Sequence, residues 1–227
     1  MNSTKHASER WARRDGYDTL ASCYRALEWS LFRNQLQRAR SALIPDIAAC
    51  RRVLLLGDGD GRLLAEFLRH HPDASVVSID RSEKMLEAQG RAVQRLGKLD
   101  QVEFKRQDLR TEPIVGGDFD LLITAFFLDC FTAQELVRLL PQWSQSVRVG
   151  GQFYFVDFIH PPAGWRRVQS LAYHAVMHAF FRFATDLPNR RLVDLDAILG
   201  HLPLRPIAIG DQVHPMMASR LYELPND

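Results

Sequence analysis

The chain has 227 residues, 46% of them hydrophobic, and its 29 lysines and arginines against 27 aspartates and glutamates leave a formal net charge of +2. The length fits one domain, the apolar content excludes global disorder, and the charge gives no bulk basic surface of the kind that binds nucleic acid. Three widely spaced cysteines (Cys23, Cys50, Cys130) make neither a disulfide framework nor a paired-cysteine metal site.

Residues 1–14 are polar and read as a flexible N-terminus preceding a single domain over 15–227. They lack the apolar core of a secretory signal, and no apolar run approaches the ~20 residues of a membrane span, so a cytoplasmic protein is expected. Leu20, Tyr24, Leu27, Leu31, Leu36, Ala39 and Leu43 recur at helical spacing, predicting two helices or one bent helix within 15–50, ending before Pro45. "RRVLLLG" is a buried strand, and "RLLAEFLRHHP" a helix stopped by Pro72. "ASVVSID" is a second strand. Ser82 is placed to cap "EKMLEAQGRAVQRLG", which stops at Gly97. "QVEFKRQD" and "DFDLLITAFF" are strands. Thr132 and Glu135 form a capping-box pattern opening "AQELVRLLPQWSQSV", and "GGQFYFVDF" is a strand introduced by a Gly-Gly turn. An aromatic-rich segment, including Trp165, Tyr173 and Phe180, occupies 160–200 and reads as a lid or acceptor segment. The last stretch, "LRPIAIGDQVHPMMASRLYEL", reads as two strands joined by a turn containing Gly210 and Pro215.

Short apolar strands alternating with helices predict an α/β fold: a doubly wound, Rossmann-like seven-stranded sheet. It is mostly parallel, carries an antiparallel C-terminal edge hairpin, and has helices on both faces. Ligands of such sheets bind outside the carboxyl ends of the strands. Gly57, Gly59 and Gly61 lie in the first of those loops, where glycine admits positive φ and close backbone approach. Asp80 ends the second strand, about twenty residues on, where a carboxylate can accept bonds from ribose hydroxyls. The dinucleotide spacing G-x-G-x-x-G fails, because counting from Gly57 its third glycine would fall on Arg62. The two variable positions of "GDGDG" are Asp58 and Asp60, which would repel a pyrophosphate and suit a cofactor bearing an ammonium or a sulfonium.

"VLLLGDGDG", "VVSIDRSEKMLEAQ", "VEFKRQDL", "FDLLITAFFLDCF" and "GGQFYFVDF", in this order and spacing, resemble a class I S-adenosylmethionine-dependent methyltransferase. The likeness extends to the small-molecule, ubiquinone/menaquinone-biosynthesis-like enzymes, whose covering helix "YDTLASCYRALE" resembles. The resemblance implies that Gly57, Gly59 and Gly61 pass under the methionine portion and ribose, and that Asp80 holds the ribose hydroxyls. It implies that Arg81 and Met85 flank the adenine, with Asp108 and Leu109 at its edge. Thr124 and Ala125 would border the methyl end, and Tyr17 and Tyr24 would close over the site. The family commonly carries an acidic residue two positions before the first glycine; here that residue is Leu55, leaving Asp58 or Asp60 to hold the methionine amino group.

For the acceptor end, Asp129 and His160 are the candidate general bases, each following a strand at its ligand-facing end. Trp29, Phe127, His174 and His178 are candidates for the acceptor pocket. His174 and His178 share a helix face, but spacing fixes no third ligand, so no metal is expected. Enzymes that methylate nucleobase amines tend to carry a polar-Pro-Pro-aromatic tetrad where this chain has "TAFF"; the resemblance therefore implies a small apolar or aromatic acceptor rather than nucleic acid. A non-catalytic S-adenosylmethionine-binding or interaction module is the alternative. Oligomeric state is open.

Overall fold

The computed structural model describes residues 34–159, 193–210 and 216–225. After a first helix, α1 (Gln35–Ser41), the chain alternates β1 (Arg52–Leu56), α2 (Arg62–His70), β2 (Ser75–Asp80), α3 (Glu83–Gln94) and β3 (Val102–Arg106). It continues through β4 (Phe119–Ala125), α4 (Ala133–Ser144), β5 (Val147–Phe158), α5 (Leu195–Leu199), β6 (Arg205–Ile209) and β7 (Met217–Glu223). The seven strands form one sheet in the order β3-β2-β1-β4-β5-β7-β6. β1 to β5 pair in parallel, and β7 joins β5 and β6 antiparallel. The expected doubly wound sheet with its antiparallel C-terminal edge is therefore present. The switch point lies between the adjacent strands β1 and β4, from which the chain proceeds in opposite directions, to β2 and to β5.

Strand alternation divides the core into two layers. Val53, Leu55, Ile123 and Tyr154 face α1 and α2, packing with Leu36, Ala39, Leu63 and Phe67. Leu54, Leu56, Leu122 and Phe155 face α4 and α5, packing with Leu136, Leu140 and Leu199. Leu55 is only 1% exposed within the first layer. An acid at that position would be desolvated among aliphatic side chains, which explains the leucine.

The local signals act as read. The Ser82 hydroxyl accepts the Met85 N–H at the start of α3. Thr132 and Glu135 exchange both bonds of the capping box that opens α4. As expected, the first helix ends before Pro45, at Ser41; Pro45 sits in a separate 3-10 turn, Ile44–Asp46, where a missing N–H costs nothing. Two boundaries differ from expectation. β5 begins at Val147, three residues before the Gly-Gly pair, because Val147 already pairs with Phe119 ahead of a register shift. β4 ends at Ala125, because Phe126 adopts a left-handed φ of 53°. Between β3 and β4 the chain crosses without a helix and borders a groove of about 370 Å³, lined by Ile79, Lys105, Gln107, Ile114 and Phe119 among others.

Candidate functional site

The parallel strands bring the predicted residues to one edge. Leu56 of β1 pairs with Ile79 of β2 and with Thr124 of β4, and Asp80 pairs with Arg106 of β3. The Gly57 N–H donates to the Ile79 carbonyl (2.9 Å), and the Gln107 N–H to the Asp80 carbonyl (3.1 Å). Gly57, Asp80, Asp108 and Thr124 are thereby carried on four adjacent strand ends.

Each loop glycine does something different. Gly57 (φ 65°) lies against the Phe127 ring, and a Cβ there would come within 2.1 Å of it. Gly61 (φ 87°) starts α2, and its Cβ would meet the Gln89 backbone of α3 at 2.7 Å, so this glycine lets two helices pack. Gly59 (φ 71°) has no described residue within 4 Å of where its Cβ would stand. Of the three, Gly59 is the one whose surroundings leave backbone open to a ligand.

The two aspartates between the glycines part company. Asp60 binds the Arg62 guanidinium (2.9 Å). Asp58 is 5% exposed; one carboxylate oxygen accepts the Leu64 N–H (3.1 Å), while Oδ1 is buried with no hydrogen-bond partner among the described residues. Burial pushes its pKa up to about 7, and the charges of Asp60 and Asp80 push the same way against Leu64 and Arg40. The Thr124 hydroxyl is also buried without a hydrogen-bond partner among the described residues. Buried polar atoms left in this state are rare and call for an explanation.

Asp80 accepts the Ser82 N–H (2.9 Å), which turns the chain from β2 into α3. Arg81 is exposed beside it, and Met85 is buried one turn on. Asp108 closes a tight turn by accepting the Arg110 N–H (3.1 Å), while the Leu109 side chain is buried in the second core layer. Ala125 is buried in the first layer. Phe127 packs edge-on to Phe131 (5.0 Å) and near Trp143 (5.8 Å), so it roofs Gly57 from the second core layer.

Asp129 is half-buried in a 3-10 turn, Leu128–Cys130, directly after Phe127. Its turn is held by Asp157 of β5, fully buried, whose carboxylate accepts N–H groups from Leu128 (3.0 Å), Asp129 (3.4 Å) and Phe158 (2.8 Å). Desolvation raises the proton affinity of both acids, and the charge of Asp129 raises that of Asp157 further. Tyr17, Tyr24, Trp29, His160, His174 and His178 lie outside the described residues, as do 1–14, the rest of the covering-helix segment through 33 and most of the lid segment.

Besides Asp157, two contributors have no counterpart among the residues singled out in the sequence. Gln89, fully buried in α3, donates to the Gly59 carbonyl (3.1 Å) and accepts the Ser78 hydroxyl (2.7 Å), bracing the glycine loop from beneath. Arg40 of α1 is 5% exposed, stacks 5.0 Å from the Phe126 ring centroid, and acts electrostatically on Asp58. Helical spacing places Arg40 four residues after Leu36, on the buried face, and that was the available signal.

Residues 53–151 match the family model described as a methyltransferase domain. No curated protein matches the chain in sequence. An O-methyltransferase family protein from Burkholderia thailandensis superposes with a TM-score of 0.64 at 18% identity, over 92% of this chain and 58% of its own. An O-methyltransferase family 2 protein from Planctomyces limnophilus, solved in complex with apigenin, gives 0.67 at 14% identity, over 93% and 62%. The YcgJ protein from Bacillus subtilis gives 0.60 at 13% identity, over 84% and 99%. At these identities the superpositions speak for the fold, and this chain spans only about three fifths of the first two proteins.

Proposed function

We propose that the protein, whose residues 53–151 match a methyltransferase domain, is a class I enzyme that transfers a methyl group from S-adenosylmethionine to a small apolar or aromatic acceptor by in-line displacement. The observation that carries this reading is the pair of buried atoms, Asp58 Oδ1 and Thr124 Oγ1, without a hydrogen-bond partner among the described residues, at the strand ends whose first loop holds the open backbone of Gly59. A buried carboxylate with a spare oxygen, its pKa raised by burial and then by neighbouring carboxylates, asks for a cation. The amino-acid end of the cofactor carries one as an ammonium, so the residues present fit the group.

In this reading Asp58 takes over the role left vacant at Leu55, and Asp60 stays with Arg62. Asp80 receives the ribose hydroxyls, Arg81 and Met85 flank the base, and Asp108 faces its edge. Gly59 keeps the floor free of a side chain, while Gly57 and Gly61 let the loop pack against Phe127 and α3. When bound, the cofactor supplies the activated methyl group. The protein aligns and excludes water, which can contribute about 7–11 kcal/mol in favourable cases. Asp129, on the turn that Asp157 holds, would accept the proton that the acceptor gives up. Apigenin in the Planctomyces limnophilus structure supports a flat aromatic acceptor. No described helix is long and apolar enough to cross a membrane; a cytoplasmic setting and a single domain over 15–227 are part of the proposal.

The test is release of S-adenosylhomocysteine from S-adenosylmethionine with a panel of small phenols, amines and thiols, alongside RNA and DNA. Turnover with a small acceptor and none with nucleic acid is expected. Tight cofactor binding without turnover on any acceptor would favour the non-catalytic module, and turnover confined to nucleic acid would overturn the acceptor class.

A further inference from the structure

We infer that Arg110 is a positioning residue for methyl transfer: its guanidinium ties the turn after β3, which carries Asp108, to the turn after β4, which carries Asp129. The inference rests on the proposed function, in which Asp108 faces the cofactor's base and Asp129 takes the acceptor's proton. It adds the side chain that sets one turn against the other.

Arg110 belongs to the Asp108 turn by its backbone. Its N–H donates to Asp108 Oδ1 (3.1 Å), and the Thr111 and Glu112 N–H groups donate to the Asp108 carbonyl (3.0 and 2.9 Å). Its side chain belongs to the other turn. Nη2 donates to the carbonyl of Cys130 (2.7 Å), the residue after Asp129, and Nε lies 3.3 Å from a carboxylate oxygen of Glu135. The guanidinium also lies over the Phe131 ring, 4.5 Å from its centroid. Glu135 is the acid of the capping box that opens α4, and Arg138 of the same helix donates to the Arg110 carbonyl (3.2 Å). A planar guanidinium can meet a carbonyl, a carboxylate and a ring face at once, which an ammonium cannot.

Holding the two turns to the core does not require these bonds. Leu109 and Phe131 are buried in the second core layer and anchor both turns there. Apolar contact is non-directional, so it leaves the spacing of the polar groups beside those anchors unfixed. Arg110 supplies the directional bonds. The Asp129 turn is then gripped at both ends: Asp157 accepts the Leu128 N–H at its start, and Arg110 donates to the Cys130 carbonyl at its end. Such a grip matters for rate, because a misplacement of about 1 Å can cost about 10²-fold.

The competing role for Arg110 is a partly exposed ion pair that serves stability alone. A double-mutant cycle with Asp129 separates the two, using S-adenosylmethionine and whichever phenol, amine or thiol of the panel turns over fastest. Arg110→Met should lower kcat about 10- to 100-fold with the KM for S-adenosylmethionine within about threefold. Arg110→Lys, the milder change, should fall between wild type and Arg110→Met. In an Asp129→Asn background Arg110→Met should lower kcat by less than about threefold, because effects that act through one group do not add. A wild-type kcat in either variant, or an equal fall in both backgrounds, overturns the assignment. Hydrogen exchange of the S-adenosylhomocysteine complex needs no acceptor. In Arg110→Met the amides of 128–131 should exchange about tenfold faster, the worth of one charge-assisted hydrogen bond, and those of 57–61 at the wild-type rate. Unchanged exchange at 128–131 also overturns the assignment. Wild-type turnover in Asp129→Asn, or a wild type that turns over no acceptor, fails the proposed function itself, and both are read with Arg110 intact.

Discussion

Asp58→Asn tests the electrostatic reading of the glycine loop without altering its shape, since an amide oxygen can still accept the Leu64 N–H. In the unfolded chain an aspartate titrates near 3.9, whereas burial, helped by Asp60 and Asp80 and opposed by Leu64 and Arg40, brings Asp58 in the ligand-free fold to about 7. The folded state therefore binds this proton more tightly. The resulting stability is fully present below about pH 4 and is lost as pH rises to about 7. A gap of about three pH units at 1.36 kcal/mol each makes the loss about 4 kcal/mol. Urea titrations followed by tryptophan fluorescence, at half-unit steps from pH 4 to 8, should show the wild type falling relative to Asp58→Asn by an amount of that order. The variant should then be the more stable protein at pH 8 and the weaker binder of S-adenosylmethionine. The wild type's affinity should rise with pH until Asp58 ionises near 7. A stability difference between the two proteins that stays flat from pH 4 to 8 would refute the reasoning, because Asp58 would then ionise as easily folded as unfolded.

The glycines separate packing from binding. Gly61→Ala forces a side chain into the left-handed region and against the Gln89 backbone, and should cost about 2–5 kcal/mol in chemical denaturation. Gly59→Ala meets open space and should cost only about 1–2 kcal/mol while impairing S-adenosylhomocysteine binding. If Asp129 takes the acceptor's proton, Asp129→Asn should lower turnover about 10²–10⁴-fold. It should also remove the acid limb near pH 6 that burial of Asp129 creates, leaving cofactor affinity unchanged in titration.

The fold was legible because its local signals agree with one another. Short aliphatic strands, the Ser82 cap, the Thr132–Glu135 capping box and the final pair of strands each specify their element without help from distant residues. The glycine loop and Asp80 were legible because a parallel sheet fixes where the ends of its first two strands meet. The choice between Asp58 and Asp60 was not, since it depends on Arg62 capturing one of them and on the α2 backbone turning toward the other. Gln89, Asp157 and Arg40 were harder still. Each is a polar residue that composition assigns to solvent, and each is buried against a neighbour more than ten residues away in sequence: Gly59, Leu128 and Phe126. Phe127 shows the same limit, since its packing on Gly57 joins two loops seventy residues apart.

The central claim is that this loop binds S-adenosylmethionine through Asp58 and Asp80. Its most direct test is a thermal-shift titration of the full chain with S-adenosylhomocysteine and, in parallel, with NAD. At a hundred times its dissociation constant S-adenosylhomocysteine should stabilise the wild type by about 2.7 kcal/mol, Asp80→Ala should abolish the shift, and NAD should produce none. A shift with NAD and none with S-adenosylhomocysteine would contradict the account.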